Sequence, residues 1–332
     1  MTGYIEIVIG PDENYALPCG VLMQSILYTN PDIEIRFHII STNLSDRSKS
    51  NFHKITENTK AAIIFYNIDP GRLNGLPPLH GSLATYSILF IANILPYEIK
   101  KILYLDADMI VVDSLRELWE VDISGYPAAG AFSIMNDDIR NYNRLDYDCT
   151  KGYYNIGTQL INLDYWRKNN ILEEALLFIK NNPEKLKYCD QDVLNVILAG
   201  KWKTISPRFN FFQNYYMPLE DLLIRKRLHT EIEYARINPC IIHFISNPKP
   251  WHKEYNMPLK KIWIFFKNMT PWRSKNLKYY YRGIKLQKYI LMRFLTIMGL
   301  YRKSSWNADP SLNMTTIIEK IYDQIKERNS KQ

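Results

Sequence analysis

A chain of 332 residues with 46% hydrophobic and 23% charged residues can bury a sizeable core, and it excludes a fibrous or disordered protein. Its net charge of +8 is local: nine Lys/Arg and no acid lie between Arg273 and Lys303, leaving 33 basic and 34 acidic residues elsewhere. That pattern argues for one anionic partner at the basic stretch; no nucleic-acid partner is expected, since such a role has only this stretch for support. The four cysteines (Cys19, Cys149, Cys189, Cys240) form no C-x-x-C pair, so reduced thiols are expected rather than a disulfide frame or zinc site. No signal-peptide pattern opens the chain, and no run reaches the roughly 20 apolar residues of a membrane span. The expected location is cytoplasmic, peripheral on the inner face of the cell membrane.

In chain order, Tyr4–Ile9 reads as a strand, Gly10–Tyr15 as a polar turn, and Ala16–Tyr28 as a helix. Ile35–Ile40 is a second strand. Ser45 caps a helix running to about Asn58, and Ala61–Tyr66 is a third strand. A Pro/Gly-rich connection crosses Pro70 to Pro78, and Ser82–Leu95 reads as a helix. Lys101–Val112 reads as one buried strand with Asp106 and Asp108 at its end, because bare carboxylates cannot be buried inside it. Extended backbone points residues i and i+2 to one side, so these two acids can converge on one hard cation. The plain alternative is a solvated strand end. Strand–helix alternation predicts an α/β, doubly wound, mostly parallel sheet flanked by helices, with ligands beyond the carboxyl ends of the strands.

Further on, Leu160–Leu163 reads as a strand, Asn170–Lys180 as an amphipathic helix, and Cys189–Asn195 as the start of another helix. Pro239–Phe244 is a short strand followed by the loop Ile245–His252. From Ile284 to Lys303, Lys285, Lys288, Arg293, Thr296, Arg302 and Lys303 share one half of a helical projection. Leu286, Ile290, Phe294, Ile297 and Met298 share the other. A helix lying on an anionic membrane surface fits this pattern, and so does a helix packed on the main body. A last helix covers about Thr315–Arg328.

Five motifs occur in order: Pro11-Asp-Glu-Asn-Tyr15, Tyr104-Leu-Asp-Ala-Asp108, Tyr154-Asn-Ile-Gly157, Asp190-Gln-Asp192, and His243 with Lys249-Pro-Trp-His252. Singly each is weak. Together, over about residues 4–255, the chain resembles the family 8 glycosyltransferases, closest in pattern to bacterial lipopolysaccharide and lipooligosaccharide galactosyl- and glucosyltransferases. The resemblance implies a GT-A-type fold, with residues 1–255 as nucleotide-sugar-binding catalytic domain and 256–332 as a basic, largely helical C-terminal extension. It implies a retaining enzyme moving galactose or glucose from a UDP-sugar donor to a glycan or glycolipid acceptor.

By that resemblance, Asp12, Asn14 and Tyr15 hold the uridine. A carboxylate can accept the uracil N–H, and a phenol ring can stack on the base. Asp106, Asp108 and His243 match the metal ligands, a donor set suited to Mn²⁺, with Mg²⁺ the alternative. Ala107 lies between the two acids and matches the donor site. Lys249 matches a phosphate-contacting lysine. Asn155, Asp190 and Gln191 match the sugar-side residues. Asp190 and Gln191 are the expected catalytic pair, with front-face substitution favoured because an amide is a poor nucleophile.

Four departures stand out. Ile88 replaces an arginine, Ile134 stands where an aspartate is expected, Ile156 replaces a small residue, and Ser246 replaces a glycine. An apolar side chain cannot supply a guanidinium's charge or forked donors. A UDP-sugar-binding protein with little or no transferase activity is therefore the second reading. A nucleotidyltransferase is a third, disfavoured because the Gly10–Tyr15 turn is acidic.

Overall fold

The computed structural model describes residues 3–69, 71, 76, 84–134, 136–219, 228–298, 300 and 308–330. Its strands are β1 (Ile5–Ile9), β2 (Ile35–Ser41), β3 (Ala61–Asn67), β4 (Lys101–Leu105) and β5 (Met109–Val111). They continue with β6 (Ala128–Phe132), β7 (Tyr154–Asn162), β8 (Lys203–Thr204), β9 (Phe211–Phe212) and β10 (Ile241–His243). The helices of the first half are α1 (Ala16–Thr29), α2 (Asp46–Thr56), α3 (Ile91–Ile94), α4 (Arg116–Trp119), α5 (Ile139–Leu145) and α6 (Leu163–Lys168). Those of the second half are α7 (Ile171–Asn181), α8 (Asp190–Ile197), α9 (His229–Ile237), α10 (Lys260–Lys267), α11 (Gly283–Ile297) and α12 (Met314–Asn329).

Seven strands form the main sheet in the order β3-β2-β1-β4-β7-β6-β8. Pairs β1/β2, β2/β3, β1/β4 and β6/β8 are parallel, while β7 runs antiparallel to β4 and β6. Ile7, Val8, Ile9, Ile102, Leu103 and Leu105 are all fully buried. Burial of both faces explains why β1 and β4 read as near-continuous apolar runs rather than alternating ones. A second sheet has the order β5-β10-β9.

The stretch expected as one strand, Lys101–Val112, is two. β4 ends at Leu105, Asp106–Asp108 turn, and β5 joins the second sheet by pairing antiparallel with β10. The turn is stitched to both sheets: Asp106 N–H donates to the Gly157 carbonyl (2.8 Å), and Phe244 N–H donates to that of Asp108 (3.0 Å). The carboxylates therefore converge across a turn, not through strand alternation.

Ser45 caps α2, as expected, by accepting from Ser48 N–H. The helix expected over Ser82–Leu95 is, in its described part, a 3-10 turn (Ala84–Phe90) leading into α3. Ser82 and most of the Pro70–Pro78 connection lie outside the described residues.

The C-terminal segment is not uniform. α10 buries Ile262, Trp263 and Phe266, and α12 buries Ile317, Ile318, Ile321 and Ile325. Both pack on α1. Arg328 Nε donates to Asp113 (2.6 Å), and Gln324 Nε2 donates to the carbonyls of Val112 (3.0 Å) and Pro239 (3.1 Å). One hydrophobic cluster thus runs from Ile5 to Ile325. α11 buries no residue. No described helix is long and apolar enough to cross a membrane.

Candidate active site

A cleft of about 710 Å³ opens at the carboxyl ends of β1, β4 and β10. Its volume suits a small-molecule site. Asp106, Ala107, Asp108 and His243 line it, and one ligand atom from each of the two acids and the histidine lies within 4.8 Å of the others. His243 Nε2 is 3.2 Å from Asp108 Oδ1 and 3.8 Å from Asp106 Oδ2. Two carboxylates and an imidazole fit a divalent cation.

Lys249 Nζ donates to Asp108 Oδ2 (2.6 Å) and to the Phe244 carbonyl (2.6 Å). Desolvation in the cleft, then the charge of Asp108, push the Asp106 carboxyl up to about 6. Burial would raise Asp108 as well, but the Lys249 ammonium and then the His243 imidazole hold it well below the usual carboxylate range. The pair is therefore split, with Asp108 the more firmly ionised member.

Asn155, Ile156, Asp190 and Gln191 also line the cleft. Asp190 is the first residue of α8 and is buried, and burial followed by the charge of Asp106 raises its carboxyl well above the ordinary value. Gln191 has its amide fixed on both sides. Its Oε1 accepts from Asn155 Nδ2 (3.0 Å) and Ile156 N–H (3.4 Å), and its Nε2 donates to Tyr153 OH (3.3 Å) and Asn136 Oδ1 (3.4 Å). Tyr153 OH in turn donates to Asp192 (2.6 Å), which Arg144 holds through both oxygens at 2.9 Å.

Asp12 and Tyr15 line the cleft as well. Asp12 Oδ1 accepts from Tyr15 N–H (3.0 Å), so it also caps the short turn Glu13–Tyr15. The Tyr15 ring meets Trp251 edge to face, with centroids 5.5 Å apart. Burial, then the charges of Asp108 and Asp106, raise the Tyr15 phenol and keep it neutral. Asn14 is exposed and is not among the cleft-lining residues. The other ten residues expected to form the site do line it.

The glycosyl transferase family 8 model matches residues 6–255, three quarters of the chain. The chain belongs to glycosyl transferase family 8. It is 29% identical to a lipopolysaccharide 1,3-galactosyltransferase of Salmonella typhimurium, over 80% of this chain and 79% of that one. It is also 29% identical to general stress protein A of Bacillus subtilis, over 81% of this chain and 95% of that protein. Among solved structures, the galactosyltransferase LgtC in complex with donor and acceptor sugar analogues is similar, with a TM-score of 0.74 and 25% identity. That match covers 81% of this chain and 99% of LgtC. The mostly parallel sheet with flanking helices is the GT-A fold of LgtC, and the protein is a hexosyltransferase.

The departures of this family 8 enzyme fall in different places. Ile88 is fully buried in the core and does not line the cleft, so it is satisfied by packing, and a binding-only protein is not favoured on its account. Ile134 is also buried outside the cleft lining. Ile156 lines the cleft beside Asn155, and Ser246 lines it with a left-handed φ of 68°. Several lining residues carried no sequence signal: Ser133, Asn136, Tyr188 and Phe212. Tyr104, which lay inside a motif but was given no role, also lines the cleft, and its hydroxyl hydrogen-bonds Asp106.

Proposed function

We propose that the protein is a Mn²⁺-dependent, retaining glycosyltransferase that moves galactose or glucose from a UDP-sugar to a surface-glycan acceptor such as a lipopolysaccharide core. The observation that carries this reading is the meeting, in one cleft, of Asp106, Asp108 and His243 with Asn155, Asp190 and Gln191. Lipopolysaccharide galactosyl- and glucosyltransferases among the relatives support the sugar and acceptor classes. The division into residues 1–255 and 256–332 is a division of role: donor chemistry first, acceptor-side and surface contacts second.

Asp106, Asp108 and His243 hold the cation. When bound, it stabilises the charge that develops on the departing diphosphate. Lys249 stands beside it as a point charge for a phosphate oxygen. Asp12 and Tyr15, with Asn14 at the rim, take the uridine. Asp190 and Asn155 hydrogen-bond the donor sugar, and Ala107 keeps the floor between the two acids small.

Gln191 positions rather than attacks. Its amide oxygen already accepts two hydrogen bonds, and an amide oxygen is a weak nucleophile. This supports front-face substitution. The acceptor oxygen bonds to the anomeric carbon on the face from which UDP leaves, the bond to UDP breaks, and a diphosphate oxygen takes the hydroxyl proton. The configuration is retained.

The exposed apolar side of α11 is the surface by which the protein would sit peripherally on a membrane. Ile284, Ile290, Leu291, Phe294, Ile297 and Met298 all face solvent, with Ile284 82% and Ile297 75% exposed. Lys285 and Lys288 lie on the side turned toward α10 and α12. Arg302 and Lys303 lie outside the described residues.

The test is a panel of UDP-sugars with Mn²⁺, following UDP release with and without acceptor glycans, and product anomers by NMR. The expected result is acceptor-dependent release from UDP-galactose or UDP-glucose with retention. Tight UDP binding with no turnover on any donor, or an inverted product, contradicts the proposal.

A further inference from the structure

Asn210 lies outside every motif and outside the cleft lining, yet it is fully buried and stands between the two halves of the site. It ends the 3-10 turn Pro207–Asn210 immediately before β9, which pairs with the strand carrying His243. Its side chain spans the gap. Oδ1 is 2.9 Å from His243 Nδ1, and Nδ2 is 2.8 Å from Asn155 Oδ1.

The direction of these bonds is not free. Gly157 N–H, which can only donate, points at Asn155 Oδ1 (3.0 Å), so that atom must be the amide oxygen. Asn210 must then turn its NH₂ toward Asn155 and its carbonyl toward His243. A carbonyl only accepts, so His243 Nδ1 must carry a hydrogen. At the far end, Asn155 donates to Gln191, Gln191 to Tyr153, and Tyr153 to the Arg144-held Asp192. Every donor in the chain from His243 to Asp192 points the same way.

We infer that Asn210 is a positioning residue that locks His243 in its Nδ1–H form, reserving Nε2 for a cation, and ties that ligand to the sugar-side amides Asn155 and Gln191. A histidine ligand is oriented and tuned by the partner of its other nitrogen, and loss of such a partner costs about 10–100-fold in metal affinity. The inference rests on His243 being a metal ligand, but the hydrogen on Nδ1 can be read without any cation.

The test is long-range ¹H–¹⁵N NMR on ¹⁵N-histidine-labelled protein, with and without Mg²⁺, together with Mn²⁺ titration. In the unsubstituted protein His243 Nδ1 is expected to carry a hydrogen in both conditions. An Nε2–H form alone overturns the inference outright, whatever the metal does. Asn210→Ala should allow the Nε2–H form and weaken Mn²⁺ about 10–100-fold. Unchanged NMR signature and Mn²⁺ affinity within twofold would overturn the positioning role. Asn210→Asp keeps the size and the acceptor facing His243 but sets oxygen against oxygen at Asn155. It should keep the Nδ1–H form and Mn²⁺ affinity while weakening UDP-sugar relative to UDP. Loss of the Nδ1–H form in this variant contradicts the inference even if the alanine variant fails to fold.

Discussion

Gly157 leaves the space that the cluster of Asp106, Asp108 and His243 needs. A Cβ there would stand 2.5 Å from His243 Cε1 and 2.8 Å from both Asp106 Oδ2 and Met109 Cε, contacts that cannot be held. Gly157→Ala should therefore displace the ligands and lower Mn²⁺ affinity by about tenfold or more, as other disturbances around a ligand do. Calorimetric titration checks this, and unchanged affinity would mean the cluster does not bind the ion. Ser246 shows the opposite case, a side chain where glycine fits better. Its φ of 68° costs an L-residue on the order of 1 kcal/mol. Ser246→Gly should raise stability by up to about that amount in urea unfolding, and a destabilised variant would refute the strain. These two positions were legible in sequence because each belongs to a spaced pattern. Asn210 was not: a single asparagine in Arg208-Phe-Asn-Phe-Phe212 has no periodicity or spacing to mark it, and its role exists only where three chain segments meet.

At the level of elements, the C-terminal helices divide the labour. α12 buries four isoleucines, each contributing about 1.5–3 kcal/mol. Their sum rivals the 5–15 kcal/mol that a whole domain retains. Removing the entire tail would therefore unfold the catalytic core, and α11 is the part to alter. Phe294→Glu with Ile297→Glu should abolish co-sedimentation with phosphatidylglycerol vesicles and leave UDP affinity unchanged. Vesicle binding that survives would contradict the surface role of α11. The approach to α11 is tethered by Glu254, which accepts the N–H groups of Tyr280 (3.0 and 2.9 Å) and Tyr281 (3.1 Å). Burial opposes ionisation of Glu254, but these amides prevail and its carboxyl lies below the ordinary value. A lowered folded-state value means the tether contributes fully above the unfolded value, about pH 4.3, and is lost as pH falls on through the lower folded-state value. Glu254→Gln should speed amide exchange at Tyr280 and Tyr281 relative to the unsubstituted protein at pH 7. That difference should vanish in acid; no difference at pH 7 would remove the tether. Amphipathic spacing gave away α11 and α12 equally well. What it could not give was which one is covered, because that depends on Asp113, Val112 and Pro239 lying where α12 lands.

For the whole molecule, strand and helix alternation was enough to foresee a mostly parallel sheet with its site at the strand ends. The second sheet was not foreseen. β5 and β10 lie in stretches read as strands, but β9 is two residues long and nothing in the sequence pairs these three short strands into a sheet of their own that carries His243 to the Asp106–Asp108 turn. The molecule is thus a GT-A sheet that supplies the two carboxylates and the Gly10–Tyr15 turn, joined to a small sheet that brings His243 to the candidate cation site. The most direct measurement of this account is calorimetric titration of UDP with and without Mn²⁺, on the unsubstituted protein and on Asp108→Asn. Binding should require Mn²⁺ and disappear in the variant. UDP affinity that is equal with and without Mn²⁺, or equal in Asp108→Asn, would contradict it.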